Sequence, residues 1–117
     1  MNKLRIFLAD DHAVLRDGLK VLVNAQPDME VVGEADNGRT AYQKARELLP
    51  DVVVMDISMP EMNGAQATKR LKESNPDIKI LALTAHEDKG YLRHLIEMGA
   101  SGFVLKRAAT LELIQAI

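Results

Sequence analysis

The chain has 117 residues and a formal net charge of -2, from 15 basic and 17 acidic residues. This length fits one domain, and the proportions of 47% hydrophobic and 27% charged residues are typical of a folded chain rather than a disordered one. With two Tyr and two Phe and no basic excess, the sequence lacks the charge and the stacking platform of a nucleic-acid binder. The absence of Cys excludes a disulfide framework, a thiolate metal site and a Cys nucleophile.

The sequence contains no apolar run that approaches the length of a membrane span, and the longest uncharged apolar run covers only residues 52–55. Its first ten residues lack the apolar core of a signal peptide. We therefore expect a cytoplasmic domain that binds neither membrane nor nucleic acid by itself.

Short apolar runs alternate with helical patterns along the chain. A Pro-Asp pair precedes the second, third and fourth runs, and each pair ends one helical pattern before the next strand begins. The predicted strands cover residues 4–9, 30–35, 52–55, 78–83 and 102–105, and the predicted helices cover residues 12–25, 37–49, 63–74 and 87–98, with a fifth that Thr110 caps.

Five strands alternating with five helices predict an α/β fold, with a parallel sheet covered on both faces. In such sheets, binding sites form beyond the carboxyl ends of the strands, where the strand order reverses. Polar residues stand at those ends here: Asp10 and Asp11 after the first strand, Asp56 after the third, Thr84 after the fourth and Lys106 after the fifth.

Three carboxylates and one ammonium group give this edge a formal charge of -2, which one divalent cation cancels. Oxygen ligands favour Mg²⁺. A hard cation beside the ammonium group of Lys106 and the hydroxyl of Thr84 favours binding of a phosphoryl group. A carboxylate in such a site, such as that of Asp56, can act as the nucleophile and form an aspartyl phosphate.

Several of these residues also have an ordinary structural interpretation. Asp11 and Thr84 can cap the helices that follow them, and a single Lys106 is usually solvated. Their joint placement at the ends of four strands, together with Asp56 after an apolar run, favours a site. We expect His12 to lie exposed at the start of the first helix rather than at a metal, because the nearby ligands are all oxygen.

Four segments around these residues resemble the receiver domain of bacterial two-component response regulators. They are DD at 10–11, MDISMPEMNG at 55–64, LTA at 83–85 and GASGFVLK at 99–106, and the resemblance spans the whole chain. DDHAVLRDGL and the last segment are most similar to the subgroup with a LuxR-type helix-turn-helix output domain. The resemblance implies a flavodoxin-like fold with strand order 2-1-3-4-5.

The resemblance also implies a role for each residue of the site. Asp56 would accept a phosphoryl group from a sensor histidine kinase, and Lys106 would pair with that group. Thr84 would move inward to hydrogen-bond to it, and Phe103 would be the aromatic switch that rotates toward the space Thr84 leaves. The resemblance thus implies a phosphorylation-activated signalling switch that controls transcription through an output domain.

The implied cofactor is Mg²⁺, bound by Asp11, Asp56 and the backbone carbonyl of Ser58, with Asp10 bound through water. The implied partners are a sensor histidine kinase, a second copy of the chain after phosphorylation and a C-terminal DNA-binding domain. We therefore expect residues 1–117 to be one receiver domain of a longer protein. Such a domain catalyses its own phosphorylation and dephosphorylation but is not a free-standing enzyme.

One position departs from the pattern of the family. A Pro commonly follows the active-site Lys there, with a cis peptide bond between them, whereas Arg107 follows Lys106 here. A cis bond before a residue other than Pro costs about 2.5–4 kcal/mol. Both a strained cis bond and a trans bond remain open at this point.

Two other functional classes share parts of this pattern. A haloacid-dehalogenase-like phosphatase also uses an Asp nucleophile, Mg²⁺, Thr and Lys, but it needs a second Asp where this chain has Ser58, and room for a cap domain. A flavodoxin-like domain that binds FMN shares the sheet, but its phosphate loop needs neutral donors where this chain has Asp10 and Asp11.

Overall fold

The computed structural model describes residues 3–57, 59, 63–84 and 89–117, in which five strands alternate with five α-helices. No helix in this part of the chain is long and apolar enough to cross a membrane. The elements are β1 (Leu4–Ala9), α1 (Ala13–Asn24), β2 (Met29–Ala35), α2 (Gly38–Leu48), β3 (Val52–Asp56), α3 (Gly64–Ser74), β4 (Lys79–Thr84), α4 (Lys89–Glu97), β5 (Gly102–Leu105) and α5 (Ala109–Ala116).

All five strands pair in parallel in the order β2-β1-β3-β4-β5, which confirms the predicted α/β fold and its strand order. Every residue of the central strand β3 is buried, because helices cover both faces of the sheet. The chain first moves from β1 outward to β2 and then returns past β1 to β3. This reversal places the carboxyl ends of β1 and β3 side by side, and Ala9 pairs with Met55 there.

Hydrophobic clusters fill both sides of the sheet. Leu19 of α1 and Leu113 of α5 belong to the cluster on one face. Ala41 of α2 and Leu71 of α3 belong to the cluster on the other. Leu95 of α4 belongs to a third cluster, which includes Ala82 of β4. The small Ala side chains of α2 let that helix lie close to the strands. The polar residues at the strand ends therefore extend from a close-packed core.

The helix α3 begins in direct contact with the end of β3. The backbone N–H of Gly64 donates to the carbonyl of Ile57 at 3.1 Å. A Cβ atom at Gly64 would collide with the backbone carbonyl of Asp56 and would lie 2.7 Å from the Cα of Ile57. Only glycine allows this approach, so the start of α3 fixes the backbone that carries Asp56.

The start of α5 differs from the prediction. A 3₁₀ turn over Lys106–Ala108 runs directly into Ala109, so Thr110 lies inside the first turn of α5 rather than at its N-cap. Ala109 is fully buried. The described residues contain no cis peptide bond, so the Lys106–Arg107 bond is trans, one of the two conformations that the sequence left open.

Candidate functional site

A buried ion pair lies at the carboxyl edge of the sheet. Asp56, the last residue of β3, is 0% exposed, and Lys106 follows β5 directly. The Lys106 Nζ donates a hydrogen bond of 2.9 Å to Asp56 Oδ2. A buried carboxylate is costly unless it is paired, and the ammonium group reduces that cost. The two strand ends therefore bring together the two residues that the sequence placed at the centre of the site.

The acidic pair at the end of β1 lies at the same edge. Asp10 is buried, and its Oδ1 accepts a hydrogen bond of 2.8 Å from the backbone N–H of His12. Its Oδ2 is also buried and has no hydrogen-bond partner among the described residues. Asp11 is exposed beside it. A buried acceptor without a partner costs free energy, so Asp10 is suited to receive a partner from a ligand.

His12 joins this acidic group, a placement that the sequence did not predict. Its side chain is 63% exposed at the N-cap of α1, as expected. However, its Nδ1 lies 3.2 Å from Asp10 Oδ1 and 3.1 Å from Asp11 Oδ1. The same nitrogen lies 3.2 Å from the Nζ of Lys106. The sequence feature that could have indicated this placement is the position of His12 directly after the acidic pair, because the short turn there keeps the residue at the edge of the sheet.

The donor atoms at this edge fit a divalent cation. Among the described residues, Asp10, Asp11, His12 and Asp56 each offer one ligand atom, and these atoms lie within 4.8 Å of one another. Opposite ligands of Mg²⁺ are about 4.2 Å apart, and carboxylate oxygens are the ligands it prefers. Ser58, whose backbone carbonyl is the remaining expected ligand, lies outside the described residues.

Thr84 and Phe103 lie on the neighbouring strands β4 and β5. Thr84 is buried at the end of β4 and pairs with Leu105, the residue before Lys106. Phe103 lies two residues before Leu105 on β5 and pairs with Ala82 of β4. Of the surface of Phe103, 41% is exposed. Alternate residues of a strand share a face, so Thr84 and Phe103 lie on the same side of the sheet.

A network of ion pairs and hydrogen bonds connects the β1–α1 turn to β2. The Nη1 of Arg16 donates to the backbone carbonyl of Asp10 at 2.6 Å, and its Nε donates to Glu34 Oε1 at 3.0 Å. The Nζ of Lys20 donates to Glu34 Oε2 at 2.9 Å. The hydrogen bond from Lys20, together with that from Arg16, lowers the pKa of Glu34 against the opposing effect of partial burial. The network thereby fixes the turn that carries the acidic pair.

Known proteins share the sequence pattern and the fold of this chain. The family model described as the response regulator receiver domain matches residues 6–117. The oxygen regulatory protein NreC of Staphylococcus carnosus is 48% identical over 115 residues, which cover 97% of this chain and 53% of that protein. The transcriptional regulatory protein DegU of Brevibacillus brevis is 40% identical over 116 residues, which cover 99% and 49% of the two chains.

The chain thus spans about half the length of these curated relatives. A crystal structure of a two-component response regulator of the LuxR family from Aurantimonas sp. SI85-9A1 matches with a TM-score of 0.92 and 37% sequence identity. That match covers 98% of this chain and 82% of the other. These findings confirm the predicted resemblance, including its LuxR-type subgroup and its flavodoxin-like fold.

Proposed function

This chain belongs to the family of response regulator receiver domains, which are phosphorylation-activated signalling switches, and on that premise we propose that Asp56 is the residue that accepts the phosphoryl group. The observation that carries the proposal is the 2.9 Å contact between Asp56 Oδ2 and Lys106 Nζ within a group of carboxylates. The strand reversal between β1 and β3 supports it, since ligands of doubly wound sheets bind at that point.

The proposed reaction transfers a phosphoryl group from a phosphohistidine of a sensor kinase. A carboxylate oxygen of Asp56 attacks the phosphorus, so an O–P bond forms while the P–N bond to the donor imidazole breaks and the imidazole leaves. The Lys106 ammonium group, already hydrogen-bonded to Asp56, balances the negative charge of the equatorial phosphoryl oxygens. Hydrolysis of the acyl phosphate by water resets the domain, which makes it a switch rather than a free-standing enzyme.

The residues around Asp56 fit Mg²⁺ as the cofactor of this reaction. Asp11 and Asp56 would bind it directly and Asp10 through water, in keeping with a buried oxygen of Asp10 that has no partner among the described residues. When bound, the cation supplies positive charge that offsets both the clustered carboxylates and the incoming phosphoryl group. Without it, three carboxylates face one ammonium group.

The proposed switch links the phosphoryl group to the surface of β5. A phosphorylated Asp56 offers charge-assisted hydrogen bonds that draw the hydroxyl of Thr84 inward. A close-packed interior tolerates the resulting void poorly, and Phe103, half-exposed on the same side of the sheet, is the large side chain that can turn in to fill it. The exposed face of β5 and α4 then changes shape.

The output of the switch is proposed to lie in the rest of a longer protein. The relatives are about twice the length of this chain, and a matching structure belongs to the LuxR family. We therefore propose that residues 1–117 are the receiver domain of a longer protein with a C-terminal LuxR-type DNA-binding domain. A sensor kinase and a second phosphorylated copy are the proposed partners, in the cytoplasm where DNA is accessible.

The phosphatase and FMN-binding alternatives are not favoured, because the family model and the relatives are receivers.

The test is direct phosphorylation of the chain. Incubation with Mg²⁺ and acetyl phosphate is expected to add one acid-stable, base-labile phosphoryl group, detected by intact-mass measurement and mapped by peptide sequencing. Asp56→Asn removes that group, whereas the matched control Asp77→Asn, at an exposed Asp of another loop, retains it. A phosphoryl group mapped to a different residue of the wild-type chain would overturn the assignment of Asp56.

A further inference from the structure

The His12 ring occupies a position that the proposed phosphoryl transfer does not use. Its Nδ1 lies 3.2 Å from Asp10 Oδ1 and 3.1 Å from Asp11 Oδ1. Adjacent ligands in an octahedral or tetrahedral centre, with metal–ligand distances of about 2.1 Å, lie roughly 3.0–3.4 Å apart. The nitrogen and the Asp11 oxygen, which is the expected direct ligand, therefore already have the spacing of neighbouring ligands on one metal ion.

Hydrogen bonding alone does not satisfy the surroundings of Nδ1. The carboxylates of Asp10 and Asp11 can only accept, whereas the Lys106 Nζ, 3.2 Å away, can only donate. A proton on Nδ1 suits the carboxylates and opposes Lys106, and a lone pair does the reverse. A cation bound between Nδ1 and the carboxylates lets the nitrogen and oxygen lone pairs face the same positive charge, while Lys106 keeps its hydrogen bond to Asp56.

A second observation, on Asp10, points to a missing cation independently of His12. Asp10 is only 2% exposed, and its Oδ2 is buried without a hydrogen-bond partner among the described residues. The backbone N–H of His12 satisfies Oδ1 only. Asp10 thus keeps a buried lone pair for a further partner, such as a water molecule bound to the cation.

We propose that His12 is a ligand of this cation site and that its nitrogen makes the site favour later first-row transition-metal ions such as Co²⁺ over Mg²⁺. Imidazole is a good ligand for first-row transition metals, whereas Mg²⁺ prefers oxygen. One nitrogen in an oxygen-rich set therefore raises the affinity for Co²⁺ more than the affinity for Mg²⁺. The inference rests on the proposed cation site but requires no phosphorylation, so it can be tested separately.

The experiment measures Co²⁺ and Mg²⁺ binding, each ion alone, by calorimetry on the wild-type chain and its variants, with circular dichroism to verify folding. His12→Ala is expected to weaken Co²⁺ binding by roughly tenfold or more and Mg²⁺ binding far less. His12→Asn, which replaces the nitrogen ligand by an amide oxygen, is expected to lose the preference for Co²⁺ as well. His94→Ala, at an exposed histidine of α4, is the matched control and leaves both affinities unchanged.

The visible absorption of bound Co²⁺ gives a second readout that a change in stability does not produce. The chain has no Cys, so the Co²⁺ spectrum reports only nitrogen and oxygen ligands, and it is expected to shift in His12→Ala and not in His94→Ala. Equal weakening of both ions in His12→Ala, or an unchanged spectrum, would overturn the role of His12 and leave the cation site standing. A wild-type chain that binds neither ion would overturn both.

Discussion

Lys106 Nζ lies 2.9 Å from Asp56 Oδ2, although 50 residues of sequence separate the two residues. The pair joins the ends of β3 and β5 across the intervening strand β4. Its members are unequally exposed, since the Lys106 side chain keeps 17% of its surface in contact with solvent and that of Asp56 keeps none. This asymmetry decides which member is more costly to remove.

Lys106→Met is expected to destabilise the chain by about 3 kcal/mol in the absence of metal, because it leaves the buried Asp56 without its cationic partner. Asp56→Asn is expected to cost much less, since Lys106 can turn its ammonium group to solvent and one repelling carboxylate is gone. Urea denaturation in EDTA measures both variants. Lys69→Met, at an exposed lysine of α3, controls for the loss of one positive charge. Equal costs for Lys106→Met and Lys69→Met would contradict the argument.

Mg²⁺ is expected to raise the free energy of unfolding by about 2.7 kcal/mol at a hundredfold excess over its dissociation constant. Asp11→Ala should lose most of that increment and should raise stability without metal, because it removes one of the repelling charges. Thermal melts with Mg²⁺ and with EDTA test this, and Asp17→Ala, at an exposed residue of α1, is the charge control. A wild-type Tm that does not respond to Mg²⁺ would refute the cation site.

Two glycines on helices are expected to respond oppositely to the same substitution. Gly64→Ala places a methyl group against the backbone of Asp56 and Ile57 and should cost roughly 2 kcal/mol or more. Gly18→Ala adds a methyl group that meets no atom within 4 Å, and should stabilise α1 by about 0.5–1 kcal/mol. Urea denaturation of both variants gives the comparison. A Gly64→Ala chain that is more stable than the wild type would show that the start of α3 does not lie in close contact with the backbone of Asp56.

The network at Glu34 predicts a dependence of stability on pH. Hydrogen bonds from Lys20 and Arg16 lower the pKa of Glu34, so its ionised form is stabilised in the folded chain. The stabilisation is fully present above the unfolded pKa of about 4.3 and is lost as pH falls through the lower folded pKa. Glu34→Gln should therefore destabilise the chain by about 1 kcal/mol or less at pH 7, and the difference from wild type should vanish in acid.

The control for that pH series is Glu73→Gln, at an exposed carboxylate of α3. Its difference from wild type should stay constant across the same pH range. Stability of Glu34→Gln that runs parallel to the wild type from neutral to acidic pH would show that the contacts of Glu34 with Arg16 and Lys20 contribute nothing to folding.

Most of the site could be predicted because strand ends are visible in the sequence. The apolar run before Asp56 stops at a single residue, and parallel strands must bring such ends to one edge. The side chain of His12 could not be placed in this way. Its backbone is extended, with φ -91° and ψ 99°, and its ring contacts Lys106, which is 94 residues away. The start of α5 was missed for a related reason. Thr110 carries the local capping signal, but the helix begins one residue earlier, at Ala109, which is fully buried in the core.

Thr84 is expected to connect phosphorylation of Asp56 to the surface that includes Phe103. A phosphoryl group can shift the population toward an activated state only if it interacts more favourably with that state. In the proposed switch, the Thr84 hydroxyl would supply this difference by moving toward the phosphoryl oxygens. Thr84→Ala should therefore accept a phosphoryl group on Asp56 and yet leave the β5 surface in its resting conformation.

The measurement compares amide chemical shifts of α4 and β5 with and without beryllofluoride, a mimic of the phosphoryl group. In the wild-type chain these amides should shift, and in Thr84→Ala the shifts should be confined to residues that touch the mimic. Thr68→Ala is the matched control, because Thr68 is 2% exposed and Thr84 is 1% exposed, but Thr68 lies on α3 and not at the end of β4. That variant should respond as the wild type does. Shifts at Phe103 and along α4 that are as large in Thr84→Ala as in the wild type would show that the signal reaches this surface without Thr84, whatever the outcome for Asp56 itself.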